Sequence, residues 1–492
     1  MASKRPPNIF VFMSDQEQGR VVDKGHPCIT PVADQLAREG IRFTRAYTPT
    51  AHSCPSRGTY FTGLYPSHHG IWNNILTHTN IDGRIWPNCR MFSENMREAG
   101  WNLGITGKWH CSRTENPEDR GWEEVLPTAT ARHAQSTEQF WAGMEKRMAT
   151  YVEDTSPRKR GEIIQPGYAR RLMYGINPRQ FEETHDYQVV TKAIEAMERY
   201  AKEGKPFFIH CGPTAPHDTY MIPEKYAAMY DPKQVQLPPN FYDTLEDKPR
   251  IYQRQYKQAW AQFSEDEFKE AIAHYWGYCT MVDDYRRLVV EAIDALGLRD
   301  NTLLMVTSDH GDYMAAHKLF CKGVPCFDEA YRIPLIVRWP EGIENPGREV
   351  DEFVTLSDYA PTFLEVAGLE QNPTSGASMV PFFKSSQVEG WTQEFHAQMG
   401  GVELWYTQRF VQTKKFKYVF NGFDFDEMYD LEKDPHEIKN VADDPNYQEI
   451  KKELVRRLWR FSHKERDVIG NAYFTVALAP WGPAVAFDND QD

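Results

Sequence analysis

Short apolar runs of strand length alternate with amphipathic stretches along most of the chain. The clearest run covers residues 8–14 and ends at Asp15, as is typical of a central strand of a parallel sheet that is buried on both faces. Further strands are predicted at residues 101–106, 206–210, 302–308 and 333–338. Strands alternating with helices predict an α/β fold, with a large, mostly parallel or mixed sheet flanked by helices.

Two of the predicted helices carry signals at their ends. Thr30, with a proline after it, is typical of a helix start, and Gly40 lies where this helix should end. Ser264 and Glu267 form a capping-box pattern ahead of apolar residues at helical spacing. The second pattern predicts a long helix over residues 264–296.

The pattern changes at two places, which indicates more than one structural unit. Residues 128–186 are polar, arginine-rich and irregular, and they predict an insertion or lid. Near residue 380 the chain changes to short antiparallel strands and one amphipathic helix. We therefore predict a catalytic domain over residues 1–380 and a smaller α+β domain with an antiparallel sheet over 381–492. The apolar stretch 472–487 is too short to span a membrane, and we expect it to pack on another surface, such as a neighbouring subunit in a homo-oligomer.

Composition narrows the class of protein. Acidic residues outnumber basic ones by 70 to 56 over 492 residues, which gives a net charge of −14 and argues against a nucleic-acid partner or an anionic-membrane partner. The eight cysteines are scattered without disulfide-framework or zinc-site spacing, which favours reduced thiols. No signal peptide is visible, so we expect a cytoplasmic protein; a trimmed secreted or periplasmic protein is the alternative.

Polar residues follow two of the predicted strands at their carboxyl ends. Asp15-Gln16 follows the first strand, and Asp309-His310 follows the strand at 302–308. Because ligands bind beyond the carboxyl ends of strands in open α/β sheets, we expect these side chains to converge. Two carboxylates, an amide and an imidazole make a mainly oxygen cage for one divalent cation, with calcium as the first expectation and manganese or magnesium as alternatives.

The segment Ser53-Cys54-Pro55-Ser56-Arg57, followed by Thr62-Gly63, is the most specific motif. It resembles the signature of the type I, formylglycine-dependent sulfatases of the alkaline phosphatase superfamily. Arylsulfatases, choline sulfatases and phosphonate monoester hydrolases are related to this family. The resemblance continues through blocks at residues 64–66, 69–70, 107–110, 215–217, 308–312, 322 and 428–437.

The resemblance implies a modified nucleophile at position 53. In that family the first signature residue is oxidised to formylglycine by a maturation enzyme. One oxygen of its hydrate binds the metal and attacks sulfur, and the other later expels sulfate. The alignment places Ser53, rather than Cys54, at this position. Three interpretations stay open: a natural serine-type enzyme, a Cys→Ser replacement meant to trap substrate, or an unmodified, inactive protein.

Further roles are implied by the resemblance and by charge. Arg57, Lys108 and Lys322 are the cations expected to meet the negative charge of the sulfuryl group, with Arg57 also orienting the nucleophile. His110 would contact the formylglycine hydrate and help to remove its proton. His217, together with Lys322, is the candidate general acid at the leaving oxygen.

The implied function is a sulfuric ester hydrolase, with a carbohydrate sulfate as the first expectation and an alkyl or aryl sulfate as the second. Two alternatives stay open: a phosphonate or phosphate ester hydrolase of the same superfamily, and a sulfate-ester binder without turnover if Ser53 is unmodified. Lys108 and His110 favour the sulfatase, because the related phosphonate enzymes have uncharged polar residues there. We expect specificity to come from the 128–186 region, the Asn73-Asn74 loop and the C-terminal domain.

Overall fold

The computed structural model describes residues 6–75, 83–127, 137–401 and 404–487. Its strands are β1 Asn8–Ser14, β2 Ile41–Tyr47, β3 Asn102–Gly107, β4 Glu123–Pro127, β5 Glu162–Ile163, β6 Arg171–Leu172, β7 Tyr174–Asn177, β8 Phe207–Gly212, β9 Tyr220–Pro223, β10 Thr302–Ser308, β11 Leu335–Arg338, β12 Arg348–Thr355, β13 Glu394–Gly401, β14 Trp405–Thr413, β15 Phe416–Asn421 and β16 Glu427–Asp430. Its α-helices are α1 Pro31–Glu39, α2 Ser53–Thr62, α3 Pro66–His69, α4 Phe92–Glu98, α5 Thr137–Thr150, α6 His185–Glu203, α7 Glu224–Ala227, α8 Arg250–Gln258, α9 Glu265–Ala295, α10 Asp328–Tyr331, α11 Tyr359–Val366, α12 Gln448–Lys464 and α13 Ala472–Ala477.

An eight-stranded sheet forms the centre of the molecule, in the order β12-β2-β11-β10-β1-β8-β3-β4. Strand β11 runs antiparallel to both of its neighbours, and the other pairings are parallel. Because β1 lies in the middle, alternate residues enter two different cores: Phe10 and Phe12 on one face, Val11 and Met13 on the other. The predicted α/β architecture with a mixed sheet and flanking helices is confirmed.

The starts of helices α9 and α1 test the capping signals that the sequence carries. Ser264 caps α9 as predicted: its hydroxyl accepts from the backbone N–H of Glu267. The Glu267 carboxylate accepts from the backbone N–H of Ser264, which completes the capping box. Thr30 precedes α1 at the N-cap position, with a proline next and Gly40 at the end of the helix, as predicted, but its hydroxyl lies toward the carbonyl of Val21 and makes no capping hydrogen bond. Asp283, from the distant helix α9, instead accepts from the first backbone N–H groups of α1 at 2.7 and 3.0 Å.

The predicted lid is more regular than its sequence indicates. Residues 128–136 lie outside the described residues. The rest contains helix α5 and the short hairpin of β5 and β6, so the expectation of an irregular segment is wrong there. Ion pairs hold this segment to α9: Arg158 contacts Glu267 at 2.7 Å and Arg160 contacts Glu270 at 2.6 Å.

The C-terminal part contains the antiparallel sheet β13-β14-β15-β16 with helix α12 against it. One face of this sheet also packs into a core of the main body, through Phe395 and Phe410 among others. The exposed side chains of Tyr473 and Val476 lie on α13, and their burial in a homo-oligomer stays a prediction. All eight cysteines are described and free of disulfides. Among the described helices, none has the length and apolar character needed to cross a bilayer.

Candidate active site

The site begins where two adjacent parallel strands end. Strands β1 and β10 pair in register, with Ser14 opposite Ser308. The next residue of each strand is an aspartate, so Asp15 and Asp309 come side by side at the carboxyl edge of the sheet. Gln16 has a left-handed backbone, with φ at 67°, and its N–H donates to the Asp309 carboxylate at 3.2 Å.

Asp15, Asp309 and His310 form a buried group of metal-ligand atoms, which all lie within 4.8 Å of one another. The Nδ1–H of His310 donates to the Gly311 carbonyl at 3.0 Å, which leaves Nε2 with a free lone pair for a ligand. Within the described part of the chain, Oδ1 of Asp15 is buried without a hydrogen-bond partner. Two carboxylates and one neutral imidazole at this spacing suit a hard divalent cation.

Both carboxylates of this group are ionised. Burial would raise the pKa of Asp15, but the charges of Lys108 and Arg57 outweigh burial and hold it well below its usual value. The pKa of Asp309 is likewise lowered, although burial and the Asp15 charge act against the lowering. The site therefore presents two negative charges against a ring of cationic side chains.

Ser53 is the first residue of α2, and its hydroxyl lies at the metal-ligand group. Its Oγ is 2.9 Å from Nε2 of His310 and accepts from Nζ of Lys108 at 3.2 Å. The adjacent Cys54 faces away, and its thiol donates to the side chain of Asn74 at 3.1 Å. The structure therefore brings position 53, and not the neighbouring cysteine, into the site.

Arg57 and Lys108 fix the groups around Ser53. Nε of Arg57 donates to Asp309 at 2.9 Å, and its Nη1 donates to the backbone carbonyl of Lys108 at 2.7 Å. Nζ of Lys108 forms an ion pair with Oδ2 of Asp15. Arg57 is fully buried; burial opposes its charge, but the two aspartates outweigh burial and raise its pKa.

The predicted site residue His110 differs from the others in the hydrogen bonding of its side chain. Its backbone is left-handed, with φ at 58°, and the side chain is buried. Neither ring nitrogen has a hydrogen-bond partner in the part of the chain that the structure describes. Burial, followed by the charges of Lys108 and Arg57, places its pKa well below the usual value, so the imidazole is neutral.

His217 and Lys322 lie together at the more exposed side of the site. Nδ1–H of His217 donates to the Asp218 carbonyl at 2.8 Å, and Nε2 accepts from Nζ of Lys322 at 2.7 Å. Burial and the Lys322 charge lower the pKa of His217. The imidazole of His217 is consequently neutral and accepts a hydrogen bond from Lys322.

Gln16 bridges the metal-ligand group and the His217–Lys322 pair. Its amide nitrogen donates to Asp312 at 2.7 Å and to Asp218 at 3.1 Å, while its oxygen accepts from Lys322. Burial raises the pKa of Asp312 to about 7, although the hydrogen bonds that it accepts oppose this shift. Asp312 thus holds the Gln16 amide in position by accepting its hydrogen bond. The role of Gln16 as a metal ligand stays a prediction.

Sequence reasoning missed two residues of the site. Asp218 directly follows His217, so its position in the chain was the available signal. Its Oδ2 accepts from Arg171, which belongs to strand β6 in the lid. Nothing in the arginine-rich lid sequence distinguishes Arg171 from the arginines around it, because the contact depends on how the lid folds back.

Three aromatic residues of the 128–186 region, for which the sequence predicts a part in specificity, divide into two groups. Trp141 and Tyr168 are 55% and 49% exposed, and Arg147 donates to the Tyr168 hydroxyl at 2.9 Å. Tyr174 is buried and donates to Glu270 at 2.6 Å, so it packs the lid against α9.

Comparison with known proteins gives the family. The Sulfatase family model matches residues 7–369, well over half of the chain, and the model described as N-sulphoglucosamine sulphohydrolase, C-terminal, matches residues 315–464. An uncharacterised sulfatase of Escherichia coli K12 is 29% identical, covering 97% of this chain and 91% of the relative. The N-acetylglucosamine-6-O-sulfatase of Bacteroides thetaiotaomicron is 24% identical, covering 94% and 87%.

The fold comparison agrees. The phosphonate monoester hydrolase of Agrobacterium radiobacter superposes with a TM-score of 0.77 at 22% identity, covering 93% of this chain and 96% of that one, which shows a shared fold. The family match and the sulfatase relatives lead to one conclusion: the chain is a sulfatase, an enzyme of the sulfatase family within the alkaline phosphatase superfamily.

Proposed function

We propose that this sulfatase hydrolyses a carbohydrate sulfate monoester, with an alkyl or aryl sulfate as the second substrate class. The nucleophile would be formylglycine formed from Ser53. The observation that carries the proposal is the position of the Ser53 hydroxyl, which lies between His310 and Lys108 beside two ionised carboxylates. The relative that acts on an N-acetylglucosamine 6-O-sulfate supports the carbohydrate class.

Asp15, Asp309 and His310 would hold the divalent cation, with Gln16 and residue 53 as further ligands. The unpartnered oxygen of Asp15 supports this assignment, because a buried, unbonded carboxylate oxygen is costly without a cation. When bound, such a cation supplies Lewis acidity that favours an ionised oxygen at position 53. Calcium is the first candidate because most of the ligands are oxygens, and the imidazole keeps manganese and magnesium as alternatives.

Position 53 requires a modification for turnover. Formylglycine supplies a hydrate with two hydroxyl groups, one to attack sulfur and one to expel sulfate, whereas a plain serine has only the first. Lys108 donates toward this position, and the neutral His110 lies among the same cationic groups without a bonded partner, suited to take a proton. A protein with unmodified Ser53 would bind the ester without turnover.

Charge stabilisation and proton supply fall to different residues. Arg57 donates to Asp309 and to the Lys108 backbone and so holds the nucleophile and the carboxylate in place, while its buried Nη2, which has no hydrogen-bond partner among the described residues, would meet the sulfuryl group. Lys108 and Lys322 are the cations that would face the sulfuryl oxygens as their negative charge grows. The Lys322–His217 pair holds a proton that it can deliver to the leaving oxygen.

Two measurements test the proposal. Mass spectrometry of the peptide that contains residue 53, from protein co-expressed with a formylglycine-generating enzyme, should show the loss of two hydrogens from serine. The same protein is then assayed with a sulfate monoester and a phosphonate monoester of matched leaving group. We expect kcat/KM to favour the sulfate; a preference of orders of magnitude for the phosphonate would show that the substrate assignment is wrong.

Ser53→Cys, co-expressed in the same way, distinguishes the interpretations of the serine. If the natural serine is converted poorly, the cysteine variant should gain turnover in proportion to its formylglycine content. A fully converted cysteine variant that releases no sulfate from any ester would contradict the proposed function.

A further inference from the structure

In the described part of the lid, the side chain of Arg171 contacts the active site. Arg171, on strand β6, donates from Nη2 to Oδ2 of Asp218. Among the described residues, Asp218 is the hydrogen-bond partner of this guanidinium, and Nε and Nη1 remain available. The Asp218 side chain is 5% exposed and that of Arg171 is 57% exposed, so one edge of the guanidinium is bonded and the other faces solvent.

Exposure increases from the nucleophile toward Arg171. Ser53 and the metal-ligand residues are buried, the side chain of His217 is 32% exposed, and Arg171 is more exposed still. Oδ1 of Asp218 lies 3.4 Å from Nδ1 of His217, while Oδ2 of Asp218 accepts a hydrogen bond from Arg171. A leaving group whose oxygen meets His217 would therefore have Asp218 and then Arg171 beside it on the side of the site that is more exposed to solvent.

The charges on this exposed side of the active site favour the binding of an anion. Two cations, Arg171 and Lys322, flank one carboxylate, Asp218, while the burial of His217 beside Lys322 keeps that imidazole neutral. The neighbouring Arg170 is neutralised by Asp154 and Glu162, so it does not add to the field. A leaving group with a negative substituent would be attracted here, and one with an ammonium group would be repelled.

We propose that Arg171 is a specificity-determining residue that binds an anionic substituent of the leaving group. The preferred substrates are then sulfated saccharides with a second negative charge, either a carboxylate or a further sulfate. This inference rests on the proposed function, since it assigns the substrate class of the same site. Either the Nε–H or an Nη1–H of Arg171 can donate to an oxygen of such a group while Nη2 stays on Asp218.

The experiment uses substrate pairs that differ in one charge: N-acetylglucosamine 6-sulfate against glucosamine N,6-disulfate, and 3-carbamoylphenyl sulfate against 3-carboxyphenyl sulfate. Wild type with verified formylglycine is compared with Arg171→Gln and with Arg160→Gln. Arg160 is the matched control because it is a similarly exposed lid arginine that pairs with Glu270, away from Asp218. Sulfate release is followed by ion chromatography.

We expect wild type to favour the anionic member of at least one pair by about 10-fold in kcat/KM, through a lower KM. Arg171→Gln should lose this preference and Arg160→Gln should keep it. Binding a remote substituent acts equally on the ground state and the transition state, so the loss should appear in KM. A fall in kcat for both members would instead show that Arg171 only positions Asp218, and would overturn the proposal.

The remaining outcomes are also decisive. Equal kcat/KM within both pairs, or a preference that survives in Arg171→Gln, overturns the specificity assignment but leaves the proposed function intact. Absence of sulfate release from all four esters, with formylglycine verified at position 53, contradicts the proposed function itself. The two failures are therefore distinguishable.

Discussion

Lys108 shows at the scale of one residue how burial determines chemistry in this site. Its ammonium lies between Oδ2 of Asp15 and Oγ of Ser53, and the residue is only 6% exposed. A charge in such surroundings acts more strongly than at the surface, because solvent screens it less. The motif around Lys108 predicted a cation here, but the pairing with Asp15 joins strands that are 93 residues apart and carries no local signal.

Replacement of Lys108 by methionine tests this arrangement. The variant keeps the aliphatic volume and removes the donor to position 53, so kcat/KM for a sulfate ester should fall by about 10²–10³-fold. Lys318→Met is the control, because Lys318 is a partly buried lysine that packs over the rings of Phe241 and Tyr256 and has no assigned role in the site. Steady-state kinetics on both variants decides, and a Lys108→Met enzyme within threefold of wild type would contradict the assigned role.

At the scale of helices and strands, the features that the sequence predicted correctly are those that depend on residues close together in the chain. The buried strands and the capping box at Ser264 were found because periodicity and spacing are local signals. The start of α1 was located correctly at Thr30, but the source of its capping hydrogen bonds was missed because Asp283 approaches from another helix. The contact of Arg171 with Asp218 was missed for the same reason, since it exists only once the lid has folded onto the main body.

The attachment of the lid to α9 depends on Glu267. Its carboxylate accepts from Arg158 at 2.7 Å and from the N–H of Gly161 at 2.9 Å, in addition to the helix cap. We expect Glu267→Gln to increase hydrogen exchange over residues 158–175 by about 10-fold at neutral pH, since the charge-assisted bonds are lost. Glu265→Gln, in the same helical turn but bonded to the exposed Tyr242, should leave exchange unchanged.

The same contact makes the lid sensitive to acid. Burial would raise the pKa of Glu267, but its bonds to Arg158, Ser264 and Gly161 outweigh burial and lower it from 4.5 to about 2. A lowered folded-state pKa gives stabilisation that is complete above about pH 4.5 and is lost as the pH falls through about 2. Lid exchange in the wild type, corrected for intrinsic rates, should increase over that window, and a Glu267→Gln lid should show a much weaker pH dependence.

At the scale of the whole molecule, a buried ion pair supports the junction of the two sheets. Arg409 on β14 forms a double contact with Asp467, at 2.6 and 2.9 Å, and its guanidinium lies 5.0 Å from the ring of Trp72 in the main body. Asp467 also accepts from Gln398 on β13. The ion pair lies within the C-terminal part, and the guanidinium that it fixes contacts Trp72, so this cation–π contact joins the C-terminal sheet to the main body in addition to apolar packing.

Removal of one partner of this pair should destabilise the protein strongly. Asp467→Ala leaves a buried guanidinium without its counter-charge, so we expect the free energy of unfolding to fall by about 3–5 kcal/mol. The double variant Arg409→Met, Asp467→Leu removes both charges and should recover much of that loss. Chemical denaturation measures both; a single variant within about 1 kcal/mol of wild type would contradict the structural role.

The protein as a whole is acidic, with a net charge of −14, whereas several cationic side chains surround its active site. Composition predicted an acidic protein, and it could not show that Arg57, Lys108 and Lys322 converge around two aspartates. That convergence results from the sheet topology, which places the carboxyl ends of β1 and β10 beside the start of α2. The field at the site is therefore a property of the fold.

The central claim is that residue 53 carries the nucleophile of a sulfate ester hydrolase. Its most direct test is the release of inorganic sulfate from N-acetylglucosamine 6-sulfate and 3-carboxyphenyl sulfate by protein with mass-verified formylglycine, measured beside Ser53→Ala prepared identically. We predict turnover by the first and a loss of at least about 10⁴-fold in the second. Equal sulfate release by the two proteins, or none by the modified protein, would contradict the account.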